Sequence, residues 1–209
     1  MTGTEPVIFI IDDDPSVRRS LERLVKSVGL KAKSFDSAAQ FLQSGHIEET
    51  GCLVLDVRMP KISGLALQDK LAKAGILLPI IFISGHGTVP MSVRAMKAGA
   101  VDFLQKPFDE QELLDAVYRA IDRCRQEKAE REELKEIQVR LRSLTPKEYE
   151  VFACVITGML NKNIADKLDT VEKTIKVHRA SIMKKMGAQS LADLVRLAEK
   201  AGIRPLPAK

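Results

Sequence analysis

Five short apolar runs, separated by helix-patterned segments, constrain the fold of this chain more than any other feature. The runs are VIFII (7–11), KAKSF (31–35), CLVLD (52–56), PIIFIS (79–84) and VDFLQ (101–105). Helical patterns lie near 15–28, 37–44, 64–74, 89–98 and from 109 onward. A strand that is apolar at nearly every position is covered on both faces, which points to a parallel sheet between two layers of helices. The expectation is a doubly wound α/β domain with a five-stranded parallel sheet, whose functional groups gather at the carboxyl ends of the strands. KAKSF is the least apolar run and is expected at an edge.

The residues that follow these runs carry the chemistry. The first runs directly into Asp12, Asp13 and Asp14, then Pro15. Three adjacent like charges repel unless solvent or a cation relieves them. Asp56 ends the third run, Ser84 ends the fourth, and Lys106 follows the fifth ahead of Pro107. The fold would draw Asp12, Asp13, Asp56, Ser84 and Lys106 into one crevice. No His or Cys base accompanies them, which argues against acyl-transfer triads. Mg²⁺ takes oxygen ligands, typically one or two carboxylates with waters and phosphate oxygens, and would answer the repulsion at Asp12 and Asp13. A carboxylate such as Asp56 can attack phosphorus. Lys106 would add a second positive charge and Ser84 a hydrogen bond to a phosphoryl oxygen. Asp14 reads as a surface charge or helix cap.

After the fifth run the pattern changes. Residues 120–142 contain no Gly or Pro, and opposite charges recur at helical spacing, as in a solvated linker helix. Leu134, Ile137, Leu141 and Leu144 form a short heptad seam that could instead pair with a partner helix. Beyond it, four short helices are expected at 146–157, 161–168, 172–186 and 190–201, broken by Gly158, Asp169–Thr170 and Gly187. Ile175, Ile182 and Met186 would face the core. Residues 143–209 hold 12 Lys/Arg against 7 Asp/Glu, whereas residues 1–124 hold 15 against 16. The excess positive charge in the last third suggests a polyanionic partner. A short helix, a tight turn and a helix with Lys173, Lys176, Arg179 and Lys184 on one side fit a helix-turn-helix presenting its second helix to DNA.

Other classes are excluded or weakened. Cys52, Cys124 and Cys154 are far apart and read as core thiols of a reducing compartment. His46, His86 and His178 are equally scattered. No apolar run approaches the roughly 20 residues of a membrane span. MTGTEP lacks the features of a signal peptide, so the expected location is the cytoplasm.

The set DDD, LDVRMP, SGHG and QKPF resembles the receiver domain of bacterial two-component response regulators, and SGHGTVPMSVRAMKAGAVDFLQKPF is similar to the FixJ-like subgroup. LTPKEYEV, NKNIA and KTIKVH resemble the LuxR-type output domain of the FixJ/NarL family. The resemblance implies a receiver domain at 1–124, a helical linker at 125–142 and an all-α DNA-binding domain at 143–209. It implies Asp56 as phosphoacceptor, with Asp12, Asp13, Asp56 and the main-chain carbonyl of Arg58 as Mg²⁺ ligands. Ser84 and Phe103 match the switch positions and Lys106 the phosphate-binding lysine. Lys176, Val177 and Ala180 would face base edges. Lys173, Arg179, His178 and the Asn161–Lys162 pair would contact phosphate or hold the turn, and Lys184 is a further DNA-binding residue. Where the family has Ile then Ser or Thr, this chain has Thr170–Val171, so Thr170 is expected to cap the second helix one residue early.

The implied function is phosphorylation-dependent transcription regulation. A sensor histidine kinase passes phosphate to Asp56, the protein dimerises and promoter DNA is bound, with RNA polymerase a further candidate partner. The chain is not expected to be an enzyme beyond self-catalysed phosphorylation and dephosphorylation. A haloacid-dehalogenase-type phosphatase would need an Asp where Arg58 stands. A constitutive DNA-binding protein with a receiver used only for dimerisation is the remaining alternative.

Overall fold

The computed structural model describes residues 5–46 and 49–203. MTGT, on which most of the signal-peptide reading rests, lies outside the described residues, as do 47–48 and 204–209. The chain forms two compact units, 1–128 and 129–209. Among the described residues no helix is long and apolar enough to cross a membrane.

The first unit alternates β1 (Val7–Ile11), α1 (Pro15–Ser27), β2 (Lys31–Phe35), α2 (Ala38–Gln43), β3 (Gly51–Asp56), α3 (Gly64–Lys73), β4 (Ile80–Ser84), α4 (Val89–Lys97) and β5 (Asp102–Gln105). It then enters the 33-residue helix α5 (Glu110–Arg142). The strands lie in the order β2-β1-β3-β4-β5, all parallel, with β2 at an edge as its composition suggests. Successive side chains point to opposite faces, so the continuous apolar runs build two cores. Phe9, Ile11, Leu53, Leu55 and Phe82 pack with Phe41 of α2, Leu67 and Leu71 of α3 and Ala95 of α4. Ile8, Ile10, Val54, Ile81, Ile83 and Leu104 pack with Leu21 and Val25 of α1 and with Leu113, Val117 and Ile121 of α5. Cys52 and Cys124 are fully buried free thiols. Burial drives the Cys52 pKa upward, leaving it the inert thiol expected of a core residue.

Element ends follow local chemistry. Asp14 caps α1, its carboxylate accepting from the Ser16 amide at 2.7 Å, and Pro15 follows without needing a donor. Strand β3 begins one residue earlier than the apolar pattern, at Gly51, where a Cβ would stand 1.8 Å from the Val7 carbonyl oxygen. Only glycine permits that approach of β3 to β1.

The second unit contains the end of α5 with α6 (Pro146–Val155), α7 (Asn161–Lys167), α8 (Glu172–Met186) and α9 (Leu191–Lys200). Its core holds Val151, Phe152, Ile164, Ile175, Ile182, Met186 and Leu194. Ile137 is buried in the same core, with Leu141 and Leu144 packed against it. The end of α5 is therefore not the wholly solvated helix its charges suggest, and its seam meets the chain's own bundle rather than a partner helix. Four helices of seven to fifteen residues bury little surface, and the α5 seam supplies a further apolar face.

The junction of α7 and α8 also departs from expectation. Asp169 turns into the left-handed region (φ 49°) and the Thr170 amide bonds back to the Ala165 carbonyl at 3.0 Å. The cap position falls on Val171, whose side chain accepts nothing. Thr170 is one residue too early to cap α8.

Candidate functional site

The parallel register carries the chemistry of the first unit to one end of the sheet. Ile11 pairs with Leu55, which sets Asp12 beside Asp56, and Asp56 pairs with Ile83, one residue short of Ser84. The Lys106 amide donates to the Ser84 carbonyl at 2.8 Å, fixing the exit of β5. Lys106 Nζ then donates to Asp12 Oδ2 at 2.7 Å and to Asp56 Oδ1 at 3.0 Å. Asp12 is 1% and Asp56 7% exposed, so these charges meet in a largely desolvated crevice. Two devices keep Asp56 presented. The Arg58 amide donates to Asp56 Oδ2 at 2.7 Å. Gly64 leaves room for the turn, since a Cβ there would lie 2.4 Å from the Asp56 carbonyl oxygen.

Burial pushes the Asp56 carboxyl above the ordinary carboxylate range, although Lys106 works against that rise. For Lys106 burial lowers the pKa, but its bonds to Asp12 and Asp56 prevail and hold it above the usual lysine value. The ammonium thus stays charged while half-enclosed.

Among the described residues no group of three or more His, Cys, Asp or Glu side chains is gathered to hold a metal ion. Asp12 and Asp56 share the ammonium, while Asp13 stands exposed beside them. Mg²⁺ does not need three side chains, because it keeps several waters and binds through one or two carboxylates. Among the described residues Asp12 Oδ1 accepts only the Asp14 amide, at 2.9 Å, and a carboxylate oxygen has a second lone pair to offer. Hard oxygen donors with net negative charge fit Mg²⁺.

Ser84 is buried, and its Oγ accepts from the His86 amide at 3.3 Å. Phe103, half-buried on β5, lies with its ring 6.2 Å from that of Phe82. A Cβ on Gly87 would come within 2.7 Å of the Phe103 ring, so the β4–α4 loop closes on that ring only because residue 87 is glycine. Arg18 was not singled out by the sequence. Its Nη1 donates to the main-chain carbonyls of Asp12 at 2.7 Å and Asp13 at 3.0 Å.

In the second unit, Lys173, Lys176, Val177, Ala180 and Lys184 are exposed on α8. Lys173, Val177, Ala180 and Lys184, spaced four, three and four apart, share one strip of that helix. Lys176 pairs with Glu172 at 3.1 Å. Arg179 is half-buried and donates to Asn161 Oδ1 at 3.0 Å, tying α8 to the start of α7. The sequence also gave no weight to Glu148. It closes a capping box with Thr145 and accepts from Ser181 Oγ at 2.6 Å and Lys185 Nζ at 2.6 Å. The Lys185 ammonium leads the causes that hold the Glu148 carboxyl down to about 2. These bonds fix α8 against α6 in the orientation that exposes its basic strip.

Comparison with known proteins agrees with both halves. Residues 8–118 match the response regulator receiver domain family. Residues 142–198 match the luxR family of bacterial regulatory proteins. Nodulation protein W of Bradyrhizobium diazoefficiens is 50% identical over 201 residues, covering 96% of this chain and 88% of that protein. The transcriptional regulatory protein FixJ of Azorhizobium caulinodans is 42% identical over 198 residues, 95% of this chain and 94% of its own length. The solved structure of the response regulator StyR shares 46% identity, covers 94% of this chain and 100% of StyR, and superposes with a TM-score of 0.84. This chain belongs to the FixJ-like two-component response regulators, in which a receiver domain joined to a LuxR-type DNA-binding domain makes transcription depend on phosphorylation.

Proposed function

We propose that Asp56 is the phosphoacceptor, and the observation that carries this is the Lys106 ammonium bridging Asp12 and Asp56 in a buried crevice. A carboxylate oxygen of Asp56 attacks the phosphorus of a phosphohistidine on the sensor kinase. The O–P bond forms as the N–P bond breaks, and the imidazole leaves with the bond's electron pair. Lys106 neutralises charge on the incoming phosphoryl oxygens. Asp12, Asp13, Asp56 and the Arg58 carbonyl would hold Mg²⁺. When bound, it supplies positive charge for the phosphoryl oxygens. Self-catalysed dephosphorylation belongs to the same pocket.

The Ser84 hydroxyl then turns to donate to a phosphoryl oxygen, and the Phe103 ring fills the space released. This remodels the face of α4, β5 and α5, through which two copies dimerise. Paired second units place α8 in the major groove of promoter DNA, with Lys176, Val177 and Ala180 toward base edges and Lys173, Arg179 and Lys184 toward phosphates. The domain limits we assign are 1–124 and 143–209, joined by a linker helix over 125–142 whose last turns pack into the core of the second unit. The protein works in the cytoplasm, with RNA polymerase a downstream partner.

Sedimentation with beryllofluoride and Mg²⁺, beside promoter-fragment binding, tests this reading. Wild type should shift to a dimer and gain DNA affinity, while D56N does neither. Equal DNA affinity in all states would support the constitutive reading instead.

A further inference from the structure

Arg18 stands out among the charged groups around the crevice, because it bonds to the main chain of the acidic loop rather than to a carboxylate. Its Nη1 donates to both the Asp12 and the Asp13 carbonyl, at 2.7 and 3.0 Å. Asp14 anchors the same loop by capping α1 and by donating its amide to Asp12 Oδ1 at 2.9 Å. Arg18 lies one turn into that helix, and its own amide bonds to the Asp14 carbonyl at 3.1 Å. The peptide units carrying Asp12 and Asp13 are therefore clamped to α1 from both directions. We infer that Arg18 is a positioning residue for cation binding, fixing the backbone from which the Asp12 and Asp13 carboxylates reach the metal. The inference rests on the reading of these residues as the Mg²⁺ site.

Two physical effects of Arg18 have opposite signs. As a charge, the guanidinium repels a cation in the adjacent crevice, so its removal would tighten Mg²⁺ binding. As a clamp, it spares the carboxylates the entropy of ordering their loop when the cation arrives, so its removal would weaken binding. The clamp prevails in our account. Nη1 is engaged by two carbonyl oxygens, and solvent screens the guanidinium charge because Arg18 is only half-buried. Lysine, with the same charge and three donors, would keep part of the clamp. Methionine keeps the aliphatic stem and removes both bonds.

The test is calorimetric titration of Mg²⁺ alone into the full-length protein, comparing wild type, R18K and R18M, with thermal melts of each. Methionine should weaken Mg²⁺ by about tenfold or more, the usual cost of losing a group that orients metal ligands, and lysine by less. Acetyl phosphate labelling of R18M should fall at low Mg²⁺ and recover to within about twofold of wild type at saturating Mg²⁺. A purely structural role would lower the melting temperature without moving the Mg²⁺ constant. Unchanged or tighter Mg²⁺ binding in R18M overturns the inference, as does labelling that stays low at saturating Mg²⁺. If R18M fails to fold, R18Q carries the test, since its amide stands on a shorter stem and falls short of the two carbonyls that Nη1 reaches. Wild type that takes up no Mg²⁺ would instead overturn the reading of the pocket itself.

Discussion

The crevice of the first unit and the exposed strip of α8 are both charged, yet they are built in different ways. In the crevice, residues 12, 56 and 106 come from three strand ends and meet with low exposure, every contact set by parallel register. Along α8, Lys173, Val177, Ala180 and Lys184 follow from one helix alone and stand in solvent. What is fixed there is the helix, through Glu148–Lys185 and Asn161–Arg179, rather than the side chains it shows. A preorganised site should respond steeply to single changes, and an exposed strip in small and additive steps.

The largest effect should come from K106M. It leaves two buried carboxylates facing each other without their cation, at a cost of about 3 kcal/mol in urea unfolding at neutral pH. Phosphoryl uptake should be lost with it. A neutral K106M would mean that the crevice is not preorganised.

The next test concerns what holds α8. The Glu148 carboxyl titrates below its ordinary 4.5, at about 2. Its contribution to stability is therefore complete above pH 4.5 and lost as the pH falls toward about 2. E148Q should flatten that part of the acid melting profile and weaken DNA binding at neutral pH by loosening α8. A wild-type acid profile would show that Glu148 is not the anchor.

Smaller still is the cap of α8. V171S would supply the acceptor that Val171 lacks and should stabilise the second unit by about 1 kcal/mol, whereas T170S should leave the cap as it is. Smallest is K184A, which should lower affinity similarly on all DNA sequences and reduce the salt slope by about one. A sequence-selective loss would mean that Lys184 reads bases.

Much of this was legible in the sequence. Continuous apolar runs such as VIFII and PIIFIS mark strands covered on both sides, and their carboxyl ends name Asp12, Asp56, Ser84 and Lys106 in advance. Arg18 was not legible, since nothing in its spacing announces a bond to two main-chain carbonyls. Glu148 and Lys185 lie 37 residues apart on separate helices, and only their packing joins them. The α5 seam was visible at Ile137 and Leu141, but a heptad pattern does not say which partner buries it. Thr170 misled because a cap depends on where the turn places its first free amides. Asp169 in the left-handed region moved that point to Val171.

If Asp56 is the phosphoacceptor proposed above, it should take a phosphoryl group in a site needing Mg²⁺. The most direct measurement is intact-protein mass after incubation with acetyl phosphate, with and without Mg²⁺, for wild type and D56N. One phosphoryl group is expected on wild type, only with Mg²⁺, and none on D56N. Labelling of D56N, or equal labelling of wild type without Mg²⁺, would contradict it.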